Sequence, residues 1–218
     1  MSQIILVEQA SNVSSPAASQ VAAFANNETF PKLLWKDDAG HVSKLGDSIR
    51  AASIVATSGA YASDTYLAGS GIPIPAVGDW RQGATYVVVF DIAKSAAGAA
   101  AFTVNVRMGT LGNISDASVL SLAFAAGTGV ADTGWMELFL NFRSVGSGTS
   151  AVVAAILKCS HHLAATGLIT TGASGFGLVT GTSAGFNSTT QDKIGVSING
   201  GSLFSGVNTI VQAQFNNA

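Results

Sequence analysis

The sequence predicts an all-β protein: a jelly-roll-like antiparallel β-sandwich with an N-terminal anchoring segment made of a short helix and a β-hairpin. Three observations lead there. Apolar and polar residues alternate with a period of two, which places the apolar set on one face of an extended strand. The runs are short, fairly evenly spaced, and separated by turns rich in Gly, Ser and Thr. After residue 30 no convincing helix is visible, so a parallel sheet with crossover helices is not expected.

The clearest run is residues 133–145, TGWMELFLNFRSV. Met136, Leu138, Leu140 and Phe142 share one face. Trp135, Glu137, Asn141 and Arg143 share the other, with Phe139 the one apolar residue among them. This predicts a central strand with one face on a core and the other largely wet.

The first 30 residues do not resemble part of a compact domain. Residues 3–7 suit a short strand. Ser15 and Pro16 then precede AASQVAAF, an N-cap and first-turn proline for a short Ala-rich helix ending near Asn26 and Asn27. Residues 32–45, KLLWKDDAGHVSKL, read as a hairpin whose turn is Asp37-Asp38-Ala39-Gly40. An isolated hairpin is marginal in water, so Leu33 and Trp35 need a partner, most simply copies of the same hairpin around an axis. The candidate anchor and oligomer contacts are Ile4, Ile5, Leu6, Val7, Phe24, Leu33 and Trp35.

Gly46-Asp47 marks the expected boundary, with an anchoring and oligomerisation segment over 1–45 and a jelly-roll domain over 46–218. Strand-like runs follow at 49–57, 60–67, 85–92, 102–108, 118–124, 133–145, 152–163, 176–180, 193–198 and 207–215, with a turn-rich stretch at 69–80.

Charged residues make up 10% of the 218 residues, against a typical ~25%. Hydrophobic residues make up 48%, and mean hydropathy is +0.42. No stretch approaches the ~18 consecutive apolar residues of a membrane span, so no membrane partner is expected. Low charge instead predicts surface hidden in subunit contacts, because interface cores are depleted in charge. With a net charge of -2 and no basic stripe, nucleic acid is not an expected partner. One cysteine, Cys159, excludes an internal disulfide framework. The N-terminal decapeptide lacks a basic n-region, so synthesis in a cytoplasm is expected.

Cys159, His161 and His162 are the one cluster of soft-ligand types. On a strand Cys159 and His161 share a face while His162 points away, and structural zinc needs four convergent ligands. No metal, cofactor or catalytic residue is expected. There is no G-x-S-x-G elbow, and among the sparse acids Glu137, mid-strand on the wet face, is the best single acid candidate. Among the aromatics Tyr61, Tyr66, Trp80, Tyr86 and Trp135, the candidate glycan contacts are Tyr61, Tyr66 and Trp80, weighed against a role as core edges.

The segment FPKLLWKDDAGHVSKL resembles the short two-stranded element near the N-terminus of many tailed-bacteriophage virion proteins. A Gly-rich jelly-roll domain often follows there, with segments similar to ADTGWMELFLNFRSVGSGTS, HHLAATGL and DKIGVSING here. The resemblance touches most of residues 30–215. It implies a homotrimer located in the virion and assembled in the host cytoplasm. Its N-terminus would dock on a major capsid or tail protein, its hairpins would surround the threefold axis, and its sandwich would project outward. It implies no enzyme activity. The short chain favours a compact capsid fibre, decoration or head spike. The alternative is a tail fibre or receptor-binding protein whose jelly roll contacts host surface glycan.

Overall fold

The structure, a computed structural model, describes residues 8–9, 22–26, 33–36, 42–44 and 48–217, except 56, 75–76, 96 and 171–174. It is all-β, with no helix among the described residues. The chain divides into two compact units, Met1–Asp47 and Ser48–Ala218.

In the first unit β1 (Glu8–Gln9), β2 (Ala22–Asn26), β3 (Leu33–Lys36) and β4 (Val42–Lys44) form one four-stranded sheet in chain order. β3 and β4 are the expected hairpin, antiparallel with Trp35 opposite Ser43. The end of the expected helix is corrected: Ala22–Asn26 is a strand, antiparallel to β3, with Phe24 opposite Leu34. A helix this short is marginal in water, whereas pairing with β3 gives the same backbone groups ladder partners. Residues 3–7 and 16–21, the expected first strand and the rest of that helix, lie outside the described residues.

The second unit holds two antiparallel sheets. The first is built from β5 (Ser48–Ser53), β6 (Thr57–Ala60), β9 (Thr85–Lys94), β12 (Asp132–Ser144), β13 (Val152–His161), β14 (Phe176–Thr182), β16 (Gly206–Asn208) and β17 (Val211–Asn216). Its order is β14-β13-β12-β9-β16-β6, with β17 pairing both β9 and β5. The second sheet has β7 (Thr65–Tyr66), β8 (Ile72–Pro73), β10 (Ala101–Gly109), β11 (Ala117–Ala126) and β15 (Lys193–Asn199), in the order β11-β10-β15-β7, with β8 also on β15. The chain crosses between the sheets after β6, β8, β9, β11, β14 and β15.

Three expected strands are broken: 49–57 divides into β5, which ends at Ser53, and β6, which starts at Thr57, and the other two each break for a local reason. Residues 60–67 cannot run straight, because Tyr61 has a φ of 72°, a left-handed conformation that ends β6 before β7 begins. Residues 207–215 divide at Thr209 and Ile210, whose N–H groups donate to the Asp91 carboxylate at 2.8 and 2.6 Å.

The core lies between the sheets. Met136, Leu138, Leu140 and Phe142 of β12 are fully buried, as are Tyr86, Val88 and Phe90 of β9. They join Phe102, Val104, Val106 and Met108 of β10 and Ile194, Val196 and Ile198 of β15 in one buried cluster. Each such side chain contributes about 1.5–3 kcal/mol relative to exposure. At one end Trp80 stacks on Phe142, with centroids 5.2 Å apart and planes at 14°, and meets Phe215 edge-on at 5.4 Å.

Candidate functional site

The outward faces of the two sheets differ in chemistry. On the five-stranded sheet the chain covers much of its own outward face. Arg107 Nε donates to Ser197 Oγ at 2.7 Å, its Nη1 donates to the Ile114 carbonyl at 2.8 Å, and its Nη2 pairs with Asp64. Asn105 donates to Asp64 at 3.2 Å and accepts from Ser121. Tyr66 lies over Gly195, where a Cβ would collide with its hydroxyl. Polar side chains on this face therefore satisfy one another.

The outward face of the eight-stranded sheet is different. Register places Phe139 of β12 directly between Ile156 of β13 and Val87 of β9. Glu137, one step along, lies between Lys158 and Val89, and Lys158 lies opposite Leu178 of β14. The large apolar side chains here are open to solvent: Trp135 is 45% exposed, Phe139 44%, Ile156 39% and Leu178 51%. The central charges are one ion pair, Lys158 Nζ to Glu137 Oε2 at 3.2 Å. Two shallow depressions indent the face. One of about 400 Å³ is bordered by Phe139, Arg143 and Thr180, and one of about 330 Å³ by Val87, Val89 and Gln212. Glu137, the best acid candidate by sequence, faces a lysine and a valine directly across the ladder, and the carboxylate on the diagonal, Asp91 opposite Trp135, is engaged by the N–H groups of Thr209 and Ile210.

Two of the three expected glycan contacts, Tyr61 and Trp80, are enclosed by the fold. Tyr61 is fully buried and donates its hydroxyl to Asn208, and Trp80 is 3% exposed and donates Nε1–H to the Gln191 carbonyl at 2.9 Å. Neither offers a ring face to a sugar. Tyr66 is half-buried, packed on Gly195. Tyr86 is core as well, its hydroxyl donating to the Ser70 carbonyl at 2.6 Å, and burial pushes its pKa well above the usual tyrosine value. The exposed aromatics among the described residues are Trp135, Phe139 and Phe176, the first two marked in the sequence by their place on the wet side of an alternating strand. Of the candidate anchor residues, Ile4, Ile5, Leu6 and Val7 lie outside the described residues. Phe24, Leu33 and Trp35 sit on β2 and β3, with Leu33 opposite Ala25 and Trp35 opposite Ala23.

Cys159 and His161 share the inward face of β13, as their spacing predicts, and His162 is exposed. The structure adds a partner that sequence reasoning did not connect: Asp132 Oδ2 is 2.7 Å from His161 Nδ1, both side chains fully enclosed. Asp132 also accepts the N–H groups of Thr133 at 2.9 Å, Leu163 at 3.2 Å and Leu168 at 3.0 Å. Burial pushes its carboxyl up, but the bonds from Leu168, His161, Leu163 and Thr133 together outweigh this and hold it below the usual carboxylate value. Lys94 crosses beneath, donating to the Gly167 carbonyl at 3.1 Å and to the Thr128 carbonyl. Burial lowers its pKa, with Asp132 opposing that.

A cysteine, a histidine and an aspartate in one place invite a catalytic reading, but the thiol argues against it. Burial, aided by the Asp132 charge, pushes Cys159 up to about 12, whereas a nucleophilic cysteine needs a lowered pKa and access. Among the described residues no group of three or more metal-ligating side chains could hold an ion. The cluster pins the 162–168 turn to β12 and β9. No protein-family model matches the chain, and no curated protein matches it either.

Proposed function

We propose that this chain is a non-enzymatic structural protein of a bacteriophage virion. In this reading it is a homotrimer that docks by its N-terminal unit on a major capsid or tail protein and displays the second unit outward as a capsid fibre, decoration or head spike. The observation that carries the reading is the division at Asp47/Ser48 into a small sheet of short strands and a second unit with a buried core of its own. An attachment segment joined to a displayed domain would divide in this way.

The second unit is read as a jelly roll. Its strand order supports this: β5, β17, β9 and β12 form one half, and β7 with β8, β15, β10 and β11 form the other. That gives eight strands in two interlocked Greek keys, with β13 and β14 a hairpin added at the β12 edge.

Light scattering on the full chain tests the reading. A mass three times the monomer's 21.9 kDa is expected, and a monomer at all concentrations would overturn it. A receptor-binding tail protein is the second reading. Exposed Trp135, on the same face as Glu137 and Lys158, favours it, because an aromatic ring beside polar groups suits a sugar. Binding on a glycan array is the measurement that distinguishes it.

A further inference from the structure

No further inference is drawn: the strongest candidate, the exposed patch of Trp135, Phe139, Ile156 and Leu178 on the outward face of the eight-stranded sheet, carries nothing, because nothing in the structure shows what covers it.

Discussion

His161 Nδ1 sits 2.7 Å from Asp132 Oδ2, with both side chains fully enclosed. The carboxylate is also the acceptor for three backbone N–H groups, so one side chain holds the end of β13, the start of β12 and the 163–168 turn together. Replacing it leaves buried donors without an acceptor. Asp132→Ala is expected to cost about 3–5 kcal/mol, read as a lower midpoint in urea unfolding. A loss under about 1 kcal/mol would mean that the turn holds without it.

The same carboxylate gives stability a dependence on acid. Its folded-state pKa lies below the ordinary value, so the contribution is whole above that ordinary value and is lost as pH falls through the folded-state one. The difference in melting temperature between wild type and Asp132→Asn should therefore be largest near neutrality. It should narrow as pH falls from about 5 to about 3. A difference that widens over that range would contradict the sign.

Cys159 should behave as a structural thiol. It is fully buried and its pKa is pushed up to about 12, so a thiol reagent at neutral pH should label it only after unfolding in denaturant. Rapid labelling of the native protein would show that the thiol is open and would return the cluster to candidacy as a catalytic site.

Trp80 should matter to folding. It stacks on Phe142 and meets Phe215 at the end of the core, and its Nε1–H bond is to the Gln191 carbonyl. Trp80→Ala is expected to destabilise by about 3–5 kcal/mol through the cavity it leaves. Chemical denaturation measures this, and a loss near zero would place the ring at a tolerant edge.

Arg107 should act as a fastener for the five-stranded sheet. It binds Ser197, the Ile114 carbonyl and Asp64. Arg107→Ala should cost about 1–3 kcal/mol and speed amide exchange in residues 110–116. Exchange unchanged in that segment would mean that the Asp116 carboxylate, which accepts the N–H groups of Leu111 and Gly112, holds the turn by itself.

The sequence by itself determined the strands and the division of each into an inner and an outer side. That information is local: a period of two in β10 and β12 fixes which residues are buried wherever the strand lies. The hairpin of β3 and β4 was legible for the same reason, from turn residues between two short runs. The strand at Ala22–Asn26 was not, because its alanines favour helix, and in a run this short that preference is too weak to hold against the backbone pairing its partner strand offers. Only the tertiary structure decided which aromatics are open. Tyr61 and Trp80 stand beside turns in the sequence, but the chain folds back over both. Trp135 and Phe139 stay exposed because no described segment of the second unit covers their side of the sheet. The bond between Asp132 and His161 was equally out of reach, since it joins residues 29 apart whose approach depends on the register of β12 against β13. Alternation along one strand is written in that strand, whereas what lies over it is set by strands distant in sequence.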